Sequence, residues 1–87
     1  MANIKQQRKR VRIQTRERLE NLRYRSTIKT LTKRLETAAS EGDAERIAAE
    51  HRELVRTIDR ATARGALHRN TAARKKSQAA KIAAASS

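Results

Sequence analysis

The stretch that decides the fold is DAERIAAEHRELVRTIDRATARG, residues 43–65. Its apolar and small side chains recur at intervals of three and four residues, which places them on one face of an α-helix. Asp43 follows a glycine and predicts an N-cap, and Gly65 predicts the C-terminal end. The stretch therefore predicts an amphipathic helix over about residues 44–64. Its apolar face consists of Ala44, Ile47, His51, Leu54, Val55, Ile58, Ala61 and Thr62.

A longer helix is predicted before this stretch, over about residues 5–41. One of its faces is formed by side chains spaced four, three, four and three residues apart, namely Tyr24, Ile28, Leu31, Leu35 and Ala38. Nearer the N-terminus, Val11, Leu19 and Leu22 lie on a different face, so the first half should bury little. At 1.5 Å per residue the helix is roughly 54 Å long. Since it is longer than its neighbours, its N-terminal end should overhang.

The segment after Gly65 predicts a third helix, over about residues 69–84. HRNTAARKKSQAAK (68–81) consists mostly of good helix formers, and Leu67 and Ile82 are its only large apolar anchors. Its small face is expected to consist of Ala72, Ala73, Ala79, Ala80 and Ala83, with Lys76 among them. Short connections favour antiparallel neighbours. The predicted fold is all-α: a three-helix bundle with a long, overhanging N-terminal helix, forming a single helical domain over residues 1–87.

The predicted interior is small, and the chain is strongly basic. Only fourteen of the 87 residues are Ile, Leu or Val, there is no Phe or Trp, and the net charge is +13. Such a composition is typical of chains that have little order by themselves. We therefore expect marginal stability, with order completed by a partner.

The positive charge is concentrated in the two outer helices. Residues 1–37 carry a net charge of +9 and residues 65–87 carry +5, whereas residues 38–64 carry −1. The middle helix is therefore interpreted as scaffold and the outer helices as contact surfaces for a polyanion. The six cations and no anion of residues 4–16 repel one another in water, but against phosphates they favour binding through counter-ion release.

The composition argues against two of the possible polyanions, an anionic membrane and a single-stranded nucleic acid. Interfacial membrane helices usually place large apolar or aromatic side chains opposite their basic face, and single strands are usually bound by stacking on aromatics. Tyr24 is the only aromatic residue and lies in the predicted core stripe, which argues against both. Recognition of phosphates and helix shape remains, on RNA or on duplex DNA, and charge alone does not separate these two.

The sequence contains no catalytic or cofactor-binding pattern. It has no cysteine, and its two histidines are 17 residues apart without a ligand-spaced partner. Gly-rich phosphate loops and nucleophile elbows are absent too. We expect no enzyme, no cofactor, no metal site, no membrane partner and no small-molecule substrate. His51 is predicted to be packed or half-buried, and His68 to cap the third helix, to contact a phosphate or to be exposed.

Several passages resemble one protein family over the whole chain. They are the start MANIK followed by Lys9-Arg10, the pattern Asn21, Ser26 and Lys29, the break at Gly42-Asp43, and above all IDRATARGALHRNTAARKKS at 58–77. Together they resemble the bacterial small-subunit ribosomal protein family "S-twenty". The resemblance implies a three-helix bundle with a long first helix, direct binding to 16S ribosomal RNA, and a bridging role between RNA helices of the 5′ domain and the 3′ minor domain during assembly. It also implies a monomer within the cytoplasmic ribosome.

The resemblance implies RNA contacts on two helices. Those on helix one are Asn3, Lys5, Lys9, Arg10, Arg16 and Asn21, and those on helix three are His68, Asn70, Arg74, Lys75, Lys76 and Ser77. On charge, Arg8, Arg12, Arg25, Arg69 and Lys81 are added. The basic extension over residues 1–18 is expected to become ordered on RNA. Thr71, Gln78 and Ala66 depart from the family's usual pattern and should weaken individual contacts. The alternative function is that of an architectural protein binding DNA without sequence preference.

Overall fold

Three α-helices make up the fold, in the order α1 (Ile4–Glu41), α2 (Ala44–Ala63) and α3 (Arg69–Ala85). A computed structural model describes the backbone of residues 4–85 and the side chains of residues 14–85. The part it describes contains no β-strand. The all-α prediction is thus confirmed, and each helix ends within one residue of the predicted bound.

Both connections contain a glycine in the left-handed backbone region. Gly42 has φ 70° and Gly65 has φ 78°, a conformation that side chains with a Cβ adopt only with strain. After α1, the N–H groups of Gly42 and Asp43 donate to the carbonyls of Ala39 and Ala38, at 3.2 and 3.3 Å. Equivalent bonds follow α2. These are Schellman motifs, which satisfy carbonyls that the helix end leaves unpaired and turn the chain back.

The two later helices are capped at their N-termini by their own flanking side chains. Asp43 Oδ1 accepts from the N–H of Arg46 at 3.2 Å and so caps α2, as predicted. His68 precedes α3: its Nδ1 accepts from the N–H of Asn70 at 3.1 Å and its carbonyl from the N–H of Ala72 at 2.9 Å. Of the three alternatives predicted for His68, the structure shows the cap and the exposed side chain, and the phosphate contact stays a prediction.

The core lies where one face of each helix meets the other two. Leu35, Leu54 and Ile58 have the largest side chains that are fully buried. The buried apolar residues are Ile28, Leu31, Leu35 and Ala38 of α1, Ile47, Leu54, Ile58 and Ala61 of α2, Ala66 and Leu67 of the connection, and Ala72 and Ala79 of α3. Tyr24, Ile82 and Ala83 pack against them, partly buried. The predicted stripe on α1 is therefore confirmed, as is the half-buried position of His51.

Some predicted core positions were wrong. Ala73 and Ala80 are exposed, because the row of α3 that meets the bundle runs through Ala72 and Ala79. At the start of α2, Ala44 is exposed as well. Thr57 is buried although it was not predicted to be, and its hydroxyl donates to the carbonyl of Glu53 at 2.9 Å, so burial leaves no polar group unpaired.

The N-terminal half of α1 extends beyond the other two helices. The molecule measures 64 × 20 × 13 Å with a radius of gyration of 17.2 Å, against about 12 Å for a compact chain of this length. Leu19 and Leu22 on this half are 55% and 52% exposed, which confirms that it buries little. Where the overhang leaves the bundle, Glu20 forms an ion pair with Arg64 at 3.9 Å. The prediction that residues 1–18 become ordered on RNA stays a prediction.

Candidate nucleic-acid interface

A groove of about 630 Å³ runs between α1 and the start of α3. It exists because these two helices contact each other least within the bundle, so that their facing sides separate towards the surface. Ile28, Ala66 and Leu67 form an apolar floor. The remaining lining side chains are polar or charged: Arg25, Lys29, Thr32, Lys33, Glu36, His68, Thr71, Lys75 and Gln78.

The charge of this groove is mainly positive. Arg25, Lys29 and Lys33 follow one another at four-residue intervals along α1, a rise of about 6 Å each, and Lys75 faces them from α3. Glu36 is the single acidic residue of the lining. Among the side chains of residues 14–85 there are four ion pairs, and none of them involves these four cations. Their fields therefore add, and the low-dielectric walls of a groove focus such a field on a bound anion.

The groove brings together three of the predicted contact residues, namely Arg25 of α1, His68 just before α3 and Lys75 of α3. Asn21 is half-buried in a shallow depression further along α1, which Arg25 also lines. Outside the groove, the exposed predicted residues are Arg16, Arg69, Asn70, Arg74, Ser77 and Lys81.

Six predicted contact residues lie outside the part of the chain whose side chains are described. Asn3 precedes the described residues altogether. The others lie on the described backbone of α1, but nothing is described of their side chains: Lys5, Arg8, Lys9, Arg10 and Arg12.

Two groove cations were not among the predicted contacts: Lys29 and Lys33. Both are exposed and line the groove next to Arg25. The signal that could have found them is the uninterrupted four-residue repeat of cations that begins at Arg25, because residues four apart lie one above the other on a helix.

Lys76 differs from its neighbour Lys75, because its side chain is directed to α2. Its ammonium group forms an ion pair with the carboxylate of Asp59, and both side chains are about half exposed. In this arrangement the charge of Lys76 is balanced within the bundle, whereas that of Lys75 is not. The prediction that Lys76 contacts RNA therefore requires either that this ion pair open, or that the ammonium group of Lys76 bind Asp59 and a phosphate at the same time.

His68 offers a hydrogen-bond donor to the groove. Since its Nδ1 accepts the N–H of Asn70, the proton of the neutral ring lies on Nε2. An N–H donor of this kind suits an anionic or hydroxyl oxygen.

The part of the chain that the structure describes has neither a metal-binding cluster nor a membrane-spanning helix. It holds no group of three or more acidic, histidine or cysteine side chains placed to bind a metal ion. None of the helices found there combines the length and hydrophobicity that crossing a bilayer requires.

The sequence matches known proteins along most of its length. A model of the family described as ribosomal protein S20 matches residues 2–84. Small ribosomal subunit protein bS20 of Kocuria rhizophila is 43% identical over 93% of this chain and 94% of its own length. The bS20 proteins of Acaryochloris marina (45% identity, 94% of this chain, 95% of its own) and Heliobacterium modesticaldum (42%, 93% and 92%) are similar to the same extent.

Proposed function

Because the chain belongs to the ribosomal protein S20 family, we propose that it is a structural component of the small ribosomal subunit that binds 16S ribosomal RNA directly. Proteins of this family are structural, and the chain is not an enzyme. In the proposed role it acts as a monomer within the cytoplasmic ribosome and bridges RNA helices of the 5′ domain and the 3′ minor domain during assembly.

The observation that carries this proposal is the set of unpaired cations where α1 faces α3. Arg25 and Lys75 stand on opposite sides of the groove, and neither has a partner among the ion pairs of residues 14–85. Bringing like charges together costs free energy in the isolated protein, and a polyanion that neutralises them removes this cost while releasing its counter-ions. The near-neutral α2 sets the spacing of the two cationic helices.

The elongated shape supports the bridging role. The backbone of the α1 overhang extends away from α3 along a molecule 64 Å long, so the two helices can reach separate RNA segments. The proposed α1 contacts are Asn3, Lys5, Arg8, Lys9, Arg10, Arg12, Arg16, Asn21 and Arg25. The proposed α3 contacts are His68, Arg69, Asn70, Arg74, Lys75, Lys76, Ser77 and Lys81. We also propose that residues 1–18 become ordered on RNA.

The proposal is tested by competition. A labelled fragment of the 16S 5′ domain is bound to the full chain at physiological salt, and unlabelled fragment or duplex DNA of equal phosphate concentration is added. We expect the RNA fragment to compete far better. Both nucleic acids attract the cations, but only the A-form surface of the RNA also fits the two cationic helices. Equal competition by duplex DNA would favour the architectural DNA-binding function instead.

Reversing two charges on α3 should weaken RNA binding without unfolding the bundle. Arg74→Glu with Lys75→Glu changes four charge units at side chains that are not core and form no described ion pair, so we expect a loss of roughly 100-fold or more at physiological salt. The affinity for the 5′-domain fragment and the thermal melt of the free protein are measured together. Arg34→Glu with Arg52→Glu is the matched control, and an equal loss in that variant would contradict the assigned face.

Removing the partner of Lys76 should strengthen RNA binding. Asp59→Asn frees the ammonium group of Lys76 and deletes an anion beside α3, so we expect a tighter complex. Because exposed ion pairs contribute only about 0–1 kcal/mol, the melting temperature should fall by no more than about 8 °C. Glu45→Gln removes an equal charge from an exposed site outside the described ion pairs and serves as control. If both variants raise the RNA affinity equally, the increase comes from the loss of a negative charge alone, and the prediction that freeing Lys76 strengthens binding is contradicted.

A further inference from the structure

We propose that the groove between α1 and α3 is a binding site for one strand of ribose–phosphate backbone, and that Lys29 and Lys33 are two of its phosphate ligands. Neither lysine belongs to the RNA contacts proposed above. The inference rests on the proposed function, because it assigns a defined ligand to one part of the RNA-binding surface.

The spacing of the groove cations fits a strand that carries regularly repeated charges. Arg25, Lys29 and Lys33 rise along α1 in steps of about 6 Å, which is comparable to the separation of successive phosphates along a nucleic-acid strand. Lys75 stands on the opposite wall. A strand lying along the groove can therefore meet one cation at each phosphate on the α1 side and be held from the α3 side as well.

The floor and the α3 wall fit the sugars between those phosphates. Ile28 and Leu67 at the floor are 3% and 8% exposed, so the floor offers a small apolar patch that one ribose face can cover. Thr71 and Gln78 line the α3 wall and can each donate and accept a hydrogen bond, which matches a 2′-hydroxyl, itself donor and acceptor. With the donor on His68 Nε2, the wall presents polar groups suited to ribose.

The size of the groove fits the backbone of one strand. At about 630 Å³ it lies within the range of roughly 300–1,000 Å³ that is usual for small-ligand sites. It is walled on two sides by helices, so the phosphates and sugars of a short length of one strand can enter it. The bases stay outside the groove, so no aromatic side chain is needed to stack on them.

An acidic peptide is a less suitable occupant. Its charges are carried on flexible side chains, and its backbone N–H and C=O groups would be laid against the apolar floor without partners, which costs free energy. The backbone groups of α1 and α3 cannot pair with the N–H and C=O groups of the peptide, because they are already hydrogen-bonded within their own helices.

The test measures binding of a short oligouridine to the full-length chain and to Lys29→Gln with Lys33→Gln. We expect the affinity of this variant to fall roughly 10- to 30-fold at about 0.1 M salt, and the slope of log K against log salt to decrease by about 1.4, at about 0.7 per single-strand contact. Arg34→Gln with Arg52→Gln is the matched control: both arginines are exposed, lie outside the groove and form no described ion pair. This control should bind almost as tightly as the wild type.

Methyl NMR signals locate the bound strand, and chemical competitors identify it. Signals of Ile28 and Leu67 should shift on addition of oligouridine, and oligodeoxyuridine and polyglutamate of equal charge should compete less well. Equal loss of affinity in the two double variants, unmoved methyl signals, or equal competition by either competitor would overturn the groove assignment. Helicity of all variants is checked by circular dichroism.

The outcome separates this inference from the proposed function. If the wild-type chain binds the 16S 5′-domain fragment but oligouridine leaves the groove methyls unchanged, the groove assignment is wrong and the function stands. If the wild-type chain does not bind the fragment, the proposed function itself is wrong.

Discussion

Replacing Leu35 by alanine is expected to remove most of the stability of the free protein. Leu35 is completely buried in the core, so truncating it leaves a cavity that close-packed neighbours can fill only in part. Such changes cost about 2–5 kcal/mol. A domain of this length has about 4–13 kcal/mol in all, from about 0.05–0.15 kcal/mol per residue, and this lean core places it near the lower end.

Thermal unfolding followed by circular dichroism measures the effect. We expect Leu35→Ala to melt at least about 10 °C lower, from about 4–8 °C per kcal/mol for a domain of this size, or to show no cooperative transition. Leu22→Ala makes the same chemical change at a side chain that is 52% exposed and should melt almost as the wild type does. Equal melting of the two variants would contradict the assignment of the core.

RNA should rescue the Leu35→Ala variant. A ligand that binds only the folded state stabilises it by about 2.7 kcal/mol at a hundred times its Kd. Helicity lost in the free variant should therefore return on addition of the 5′-domain fragment. A variant that gains helix in this way would show that the partner compensates for the small interior.

The predictable parts of the fold are the helices in which apolar side chains on one face contrast strongly with charged side chains on the other. The α2 helix combines a clear apolar face with Asp43 at one end and Gly65 at the other, and both act as the sequence indicates. On α1, the stripe that contains Leu35 contrasts with charged neighbours. In each case the periodicity of one helix is sufficient to identify its buried side.

The small face of α3 was only partly predictable, for a physical reason. Ala72 and Ala79 are buried while Ala73 and Ala80 are exposed, yet these four side chains are chemically identical. Sequence periodicity gives no contrast among them. The rotation of α3 about its axis is therefore decided by packing against α1 and α2, and by the anchors Leu67 and Ile82 on either side.

The groove could not have been predicted from a single helix. Arg25, Lys29 and Lys33 form a visible repeat on α1, but only the position of α3 places Lys75 opposite them and an apolar floor between. The ion pair of Lys76 with Asp59 likewise depends on how α2 and α3 face each other. Charge counting correctly identified the two cationic helices, and the tertiary arrangement distinguishes the cations that are balanced internally from those that are not.

The salt dependence of RNA binding should be the largest effect of all, because the proposed interface consists mainly of cations and phosphates. If about eight phosphates are contacted, log K should fall by roughly 6–7 for each tenfold rise in salt, at about 0.7–0.9 per contact. Hydrogen bonds to 2′-hydroxyls and packing on apolar surface add affinity but hardly change this slope. The slope therefore reports the number of cations that RNA neutralises.

The most direct test of the central claim, that RNA neutralises the unpaired cations of α1 and α3, is this slope, measured with the wild-type chain and the 16S 5′-domain fragment over a range of salt. Helicity is recorded at each salt concentration, so that unfolding of the protein is not mistaken for loss of binding. A slope between about −6 and −7 is the predicted result. A nearly flat dependence, with the protein folded throughout, would contradict the claim.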